Sequence, residues 1–309
     1  MNSKTKKTRT RKTEMAITRS KFEVERPVET KPCKFLFWNV LKKDLGNVVC
    51  DIAEYYDADF ILLAELKKDD TKKYEAELNK KGYKLRTLSS AKVKIFDRLD
   101  INPGKSIIIP KDVKVKQKDR ITSMLYNING ERILLVGVHL FSKATMKNDS
   151  NRQGFARLAS ETIEYIEEVY EIDKTIIMGD FNVNPYEPAM IEFFGMHATM
   201  CRNTALKEER VISDVAKRYL FNPSWQAYSN VGSDDTPPGT YYFDEKYDTT
   251  LTFWNVLDQV LIRPKLVKNS LNFEIISGAG DKVPTLLSDG IPDKENYSDH
   301  LPILYTIKI

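Results

Sequence analysis

Residues 174–182 read Lys-Thr-Ile-Ile-Met-Gly-Asp-Phe-Asn. The uncharged run 175–178 is too short for a helix, and Gly179 closes it. It predicts a strand buried on both faces, with Asp180 and Asn182 at its end. Outward from this stretch, apolar runs and helical spacings alternate. Upstream, 155–170 has the spacing of an amphipathic helix. Segments 120–127 and 132–140 read as a hairpin turning at Asn129-Gly130. Residues 105–109 (KSIII) predict a strand stopped by Pro110, and 71–81 a charged helix ending at Gly82. Runs 59–64 (DFILLA) and 35–38 (FLFW) predict two more buried strands, with helical spacing over 44–56 between them. Downstream, 255–262 and 301–309 predict late strands. Residues 203–250 show no clear pattern beyond a loop around 234–239 (DDTPPG). Strands alternating with helices, with hairpins added, imply a mixed-sheet α/β layer fold.

Composition agrees. The chain has 309 residues, 41% hydrophobic and 30% charged, enough apolar side chains for a sizeable core. No window approaches a membrane-spanning apolar run, and no secretory apolar region opens the chain. Three widely spaced cysteines, Cys33, Cys50 and Cys201, suggest neither a disulfide framework nor a zinc site. A cytoplasmic, reducing location is the expectation. The net charge of +4 is uneven. Residues 1–34 hold 11 basic and 4 acidic residues, so the body is slightly acidic. Residues 1–33 predict a basic, disordered tail, with Lys4, Lys6, Lys7, Arg9, Arg11 and Lys12 spread among polar residues. The domain is expected over 34–309.

Polar residues cluster at the ends of the apolar runs. Asn39 follows KFLFW, Glu65 follows DFILLA, and His139 follows ILLVGV. Asp180 and Asn182 follow TIIMG, while Asp299 and His300 precede LPILY. Asp258 lies within NVLDQVLI. Strand ends are where α/β sheets gather side chains into a crevice. Asn, Asp and Glu are hard oxygen donors suited to Mg²⁺ or Mn²⁺, and histidines move protons or steady a phosphate. A single Asn or Asp after a strand is usually a turn former or cap. Asp258 is different, because a carboxylate inside an apolar strand is costly without a partner. The chain has only three histidines, and two belong to this set.

FWNV (37–40), LLAEL (62–66), GVHL (137–140), GDFN (179–182), LDQVLI (257–262) and YSDH (297–300) stand in order along the chain. In these six motifs the sequence resembles the endonuclease/exonuclease/phosphatase superfamily, with its DNase I-like fold, from about Lys34 to Ile309. The resemblance implies one four-layer α/β sandwich, two mixed β-sheets face to face and flanked by helices. Its halves would be roughly 34–151 and 152–309. It also implies a metal-dependent phosphoric ester hydrolase working by in-line attack of water. Asn39, Glu65 and Asp299 would hold Mg²⁺, with Mn²⁺ as an alternative. His139, Asp180, Asn182, Asp258 and His300 would be catalytic. Asp258 would orient His300, Asn182 would donate to the phosphoryl oxygen, and either Asp180 or His300 would activate the water. The sequence departs from common patterns at Ala64, where many members have Gln. His139 stands where the apurinic-site branch usually has Tyr. GDFN and Leu257-Asp258-Gln259 disfavour the phosphoinositide phosphatase branch.

The implied substrate is nucleic acid, DNA or RNA, with no membrane partner. The slightly acidic body keeps open a second reading, a phosphatase or phosphodiesterase for a small or lipid-linked phosphate ester. A catalytically idle phosphate-binding module is a third, disfavoured by the full proton-transfer set. Arg152, Lys143 and Arg263 are candidate phosphate contacts, weighed against surface ion pairs. Trp225, Trp254, Tyr241 and Tyr242 are candidate base-stacking residues, weighed against core packing.

Overall fold

A computed structural model describes residues 31–87, 91–99, 105–106, 120–142, 145–146, 148–230, 236–244 and 253–309. The expected tail therefore lies almost wholly outside the described residues, as do Lys143 and residues 107–110. The first strand opens at Cys33, one residue ahead of the expected start of the domain.

β1 (Cys33–Asn39) and β2 (Phe60–Ala64) are the aromatic and aliphatic runs, with α1 (Gly46–Tyr55) between them. α2 (Thr71–Lys80) precedes Gly82, which stands at φ 84°, the left-handed conformation that ends helices. β3 (Lys84–Leu85), β4 (Val93–Asp97) and β5 (Lys105–Ser106) follow. β6 (Ile121–Ile128) and β7 (Glu131–His139) form the expected hairpin, with Asn129 and Gly130 at φ 52° and 84°. α3 (Asp149–Val169) starts six residues before the apolar spacing does, because Asn148 caps it by accepting the Asn151 N–H at 3.2 Å. β8 (Thr175–Asp180) is the decisive strand.

The region without a clear pattern holds short pieces. They are β9 (Ala198–Thr199), the hairpin of β10 (Glu209–Ile212) and β11 (Val215–Arg218), β12 (Leu220–Phe221), and a 3₁₀ helix over Pro223–Asn230. β13 (Tyr241–Tyr242) pairs with β14 (Trp254–Asn255). β15 (Asp258–Ile262), β16 (Ser270–Ile275), the small hairpin of β17 (Leu287–Ser288) and β18 (Ile291–Pro292), and β19 (Ile303–Ile307) complete the chain. β16 is partly exposed and was not legible as a strand.

Two mixed sheets result. One has the order β16-β19-β1-β2-β4-β3, the other β5-β6-β7-β8-β15-β12-β9. Both contain parallel pairs, β1 with β2 in the first and β7 with β8 and β12 with β9 in the second, among antiparallel neighbours. The second sheet shows why its strands are apolar on both sides. Ile133, Leu135, Ile176, Met178, Val260 and Ile262 join Phe35, Phe37 and Leu62 of the first sheet in one core. The alternate residues Leu134, Val136, Val138, Ile177 and Leu261 pack against Ala159, Ile163 and Ile166 of α3. On the first sheet, Val49 and Ile52 of α1 and Tyr74 and Leu78 of α2 belong to the same core as its strands. The layers are helix, sheet, sheet, helix, with residues 31–309 forming one compact unit. Gly179 has no room for a side chain, since a Cβ there would lie 2.0 Å from the Val138 carbonyl oxygen.

Candidate active site

Register aligns the site. His139 is paired with Asp180 across the parallel β7–β8 ladder, and Asp180 with Asp258 across the antiparallel β8–β15 ladder. The three stand side by side on adjacent strands. Side chains alternate along a strand. His139 is in phase with Ile133 and Leu135, Asp180 with Ile176 and Met178, and Asp258 with Val260. All three therefore face the space between the sheets. Asn39 is in phase with Phe35 and Phe37 of the facing sheet and is paired with Ala64, so Glu65 follows beside it.

Distances close the constellation. Asn39 Nδ2 donates to Asp180 Oδ2 at 3.1 Å and reaches Glu65 Oε1 at 3.5 Å. His139 Nε2 lies 3.5 Å from Glu65 Oε1 and 3.7 Å from Asp180 Oδ2. Asp258 Oδ2 lies 2.8 Å from His300 Nδ1, which turns His300 Nε2 toward Asp180 Oδ2, 4.0 Å away. Asp180 Oδ1 accepts the Asn182 N–H at 2.9 Å, and Asn182 Nδ2 donates to the Leu140 carbonyl at 3.1 Å. Glu65 and Asn182 both adopt φ 56°, and Leu41 and Lys42, beside them, φ 48° and 57°. Such conformations cost roughly 1–3 kcal/mol each, and they concentrate at sites where a side chain must be aimed.

The electrostatics separate the ionisable groups. Burial lowers His139 to about 4, against the opposing charge of Glu65. It is neutral at pH 7. Burial raises Asp180 to about 7, helped by the Asp258 charge and opposed by His300 and the Asn182 and Asn39 hydrogen bonds. For His300, burial disfavours the charge, but Asp258, Asp180 and Asp299 outweigh it and raise the group to about 10. At pH 7 the ring is cationic: Nδ1–H donates to Asp258, and Nε2–H is directed toward Asp180.

Asp180, Asp258 and His300 each offer a ligand atom, all within 4.8 Å of one another. Within this group the Asp258–His300 hydrogen bond occupies Asp258 Oδ2 and His300 Nδ1, leaving Asp258 Oδ1, His300 Nε2 and Asp180. Asp258 Oδ1 and Asp299 Oδ1 are buried without a hydrogen-bond partner among the described residues. Buried carboxylate oxygens left without a donor suit a hard divalent cation. Asn39, expected as a metal ligand, makes hydrogen bonds through both ends of its amide here. Its Oδ1 accepts the Leu41 N–H at 3.1 Å, leaving the amide NH₂ to face the carboxylates. It is a donor that holds Glu65 and Asp180 together.

Several supporting residues escaped the sequence reading. Thr240 Oγ1 accepts the N–H groups of Leu257 and Asp258, both at 3.1 Å, at the entry of β15. Ser298 Oγ donates to the Asn39 carbonyl at 2.6 Å and accepts the His300 N–H at 3.2 Å. Trp38 Nε1 donates to the His300 carbonyl at 2.8 Å. Arg120 Nη1 donates to the His139 carbonyl at 2.9 Å, its guanidinium 3.7 Å from the Phe141 ring centroid. The Ser298 turn was the one legible signal, a hydroxyl two residues ahead of the histidine whose N–H it accepts.

Other candidates fall elsewhere. Arg263 is a buried ion pair with Glu167, neither a phosphate contact nor a surface pair. Arg152 is buried and donates to the Met146 carbonyl at 3.0 Å. Tyr241 packs against the His300 ring at 4.9 Å, and Tyr242 against Trp254 at 5.3 Å. Trp225 lies in a separate aromatic group with Tyr186 and Tyr228. No helix among the described residues is long and apolar enough to cross a membrane.

No family model and no curated protein matches the sequence. Solved structures do match its fold. A D. rerio TDP2 complexed with single-strand DNA product is 18% identical, covering 91% of this chain and 100% of its own, with a TM-score of 0.55. An AP endonuclease from Archaeoglobus fulgidus is 14% identical over 90% of this chain and 100% of its own, at 0.54. An endonuclease/exonuclease/phosphatase family protein from Bacteroides thetaiotaomicron is 15% identical over 90% of this chain and 98% of its own, at 0.56. The chain has the fold of the endonuclease/exonuclease/phosphatase proteins, the four-layer DNase I-like sandwich.

Proposed function

We propose that the protein is a divalent-metal-dependent phosphoric ester hydrolase, and specifically a nuclease that cleaves DNA or RNA phosphodiesters by in-line attack of water. The observation that carries this reading is the aligned row of His139, Asp180 and Asp258, with His300 clamped to Asp258 and Glu65 facing the row. A phosphodiester is anionic, so the site must supply positive charge and a base. Glu65 and Asp299 are the carboxylates proposed to hold the cation, Mg²⁺ or Mn²⁺. When bound, the cation neutralises phosphate charge and polarises the phosphorus–oxygen bond.

The chain's own groups divide the remaining work. His300, kept cationic by Asp258, presents Nε2–H to a phosphate oxygen and stabilises the charge that develops there. Asp180, raised toward neutrality, is the group suited to accept the proton of the attacking water, since its affinity for a proton is matched to neutral pH. His139, neutral, offers Nε2–H to an ester oxygen. Asn182 retains one amide N–H beyond its bond to Leu140 for the phosphoryl oxygen. Neighbours with this fold carry single-strand DNA product in one case, which agrees with a nucleic-acid substrate.

The test incubates the full chain with plasmid DNA, single-stranded DNA, RNA and small phosphate esters, each with Mg²⁺, Mn²⁺ or EDTA. Cleavage of a polynucleotide that EDTA abolishes is expected. Hydrolysis of small esters alone would move the assignment to the phosphatase reading. Residues 1–33 are proposed to strengthen polyanion binding through counterion release, so a chain starting at Lys31 should bind long DNA with a shallower salt slope and unchanged maximal rate.

A further inference from the structure

Asp258 belongs to the second sheet, whereas His300 leads into β19 of the first. The 2.8 Å bond between them therefore crosses from one sheet to the other. A bond of that length tolerates little drift, so both of its ends must be fixed. The β-ladder fixes Asp258 on one side only. β8 flanks it there, but β12 reaches β15 only at Ile262, so among the described residues no strand lies on the other side of the start of β15. Side-chain hydroxyls take the N–H groups on that side. Ser224 Oγ accepts from Val260 at 2.8 Å, and Thr240 Oγ1 accepts from both Leu257 and Asp258 at 3.1 Å.

Thr240 differs from Ser224 in what its main chain does. Its carbonyl accepts the Leu301 N–H at 2.7 Å, and its own N–H donates to the Asn255 carbonyl at 2.8 Å. Leu301 follows His300 directly. Tyr241, which follows Thr240, forms an antiparallel bridge with His300. Thr240 is fully buried. Gly239 ahead of it passes so close to Asn255 that a Cβ there would lie 2.8 Å from the Asn255 carbonyl oxygen. One residue thus grips the backbone of Asp258 through its side chain and the backbone beside His300 through its main chain. It joins the two sheets at the point where the acid–histidine bond crosses between them.

We propose that Thr240 is a positioning residue: its hydroxyl oxygen locks the Asp258 backbone to the His300 segment and so sets the geometry of the Asp258–His300 pair. The catalytic consequence rests on the hydrolase reading, while the geometric one is measurable without turnover. Valine has the shape of threonine but lacks the acceptor. Serine keeps the acceptor and lacks only the methyl. A packing role would spare valine and harm serine, and a positioning role does the opposite. Displacing such a pair by about 1 Å costs on the order of 10²-fold in rate.

The first arm of the test needs no reaction. In the full chain with isotope-labelled histidine, in EDTA, the His300 Nδ1–H should give a slowly exchanging proton resonance, identified by its loss in His300→Gln. Thr240→Ser should keep that resonance, and Thr240→Val should speed its exchange with water by about tenfold, the scale of one lost hydrogen bond. The second arm follows hydrolysis of bis(p-nitrophenyl) phosphate with Mg²⁺ or Mn²⁺. Thr240→Val should lower kcat by about 10²-fold with KM nearly unchanged, and Thr240→Ser should recover all but about threefold of that loss. Added to Asp258→Asn, Thr240→Val should have little further effect, since it acts through that carboxylate. If the valine variant does not fold, Thr240→Ala, which leaves room for a water at the same N–H groups, replaces it in both arms. A serine variant as impaired as the valine one would overturn the proposal. So would unchanged exchange at His300 in the valine variant, or a full second loss of rate on top of Asp258→Asn. A parent protein that hydrolyses no ester would sink the hydrolase reading alone, because the exchange measurement still decides what Thr240 holds in place.

Discussion

Two buried charge clusters flank the second sheet, and they are built to opposite ends. Under α3, Glu167 is saturated. Its Oε1 accepts from Thr175 Oγ1 at 2.5 Å and Arg263 Nε at 2.8 Å, and its Oε2 from Arg263 Nη2 at 2.8 Å and Arg218 Nη2 at 2.6 Å. Arg263 Nη1 donates to the Arg218 carbonyl at 3.1 Å. On the inter-sheet side, Asp180 and Asp258 stand beside His139 and His300, and Asp258 Oδ1 and Asp299 Oδ1 are buried with no hydrogen-bond partner among the described residues. The first cluster has nothing further to bind. The second has buried carboxylate oxygens with no protein donor, the state expected of a site that takes a ligand. Equal burial, therefore, does not mean equal role, and hydrogen-bond completeness separates a structural ion pair from a reactive one.

The sharpest way to break this contrast is Asp180→Asn. Removing a carboxylate from the open cluster should lower hydrolysis by about 10³-fold, the scale of losing a positioned proton acceptor. Thermal stability in EDTA should stay level or rise, because the carboxylate is held against its burial cost. A retained rate, measured on any substrate the protein cleaves, would remove Asp180 from the mechanism. Arg263→Met should do the reverse. It leaves Glu167 without its bidentate partner and should cost about 3–5 kcal/mol in urea unfolding, with turnover per folded molecule unchanged. Adding Glu167→Leu should recover most of that loss, since the uncompensated charge goes with it.

The two histidines sharpen the comparison through pH. His197, beside the closed cluster, is lowered to about 4 by burial, with Lys217, Arg210 and Arg263 adding to the effect. The unfolded chain binds this proton more readily. Its contribution is therefore complete above pH 6.5 and is lost as pH falls toward 4, at most about 3–4 kcal/mol. His300 is raised to about 10, so its contribution is complete below pH 6.5 and is lost as pH rises through 10. Denaturant melts in EDTA across pH should show His197→Gln flattening the acid limb and His300→Gln the alkaline limb. An exchange of those effects would refute the assigned charge states. The smallest effect is expected outside both clusters. Lys80 and Glu77 form an exposed pair at 2.8 Å on α2, and Lys80→Ala should change stability by less than about 0.5 kcal/mol in the same melts.

Much of the fold was legible because burial on both faces leaves a local trace. The runs FLFW, FILLA and TIIM are uninterrupted by charge, and they are the strands whose two faces lie under the opposite sheet and under helices. The 129–130 turn was legible because Asn-Gly suits its left-handed backbone. Illegible were β16, whose half-exposed SLNFEI alternates weakly, and the two-residue strands β9, β12, β13 and β14. Pieces that short owe their conformation to their neighbours.

For the site, the chain's own order of residues determined which side chains were available: carboxylates, amides and histidines at the ends of apolar runs. It also determined their phase, since His139, Asp180 and Asp258 each continue the inward alternation of their own strand. Only tertiary structure decided that these three stand in one row, because strand partners and register depend on contacts between segments far apart in sequence. The same non-local pairing brought the Asn39 amide N–H against Asp180 and Glu65. It also drew Arg263 inward onto Glu167. A side chain's partner is set by what the rest of the chain brings within about 3 Å, a distance that local periodicity does not encode.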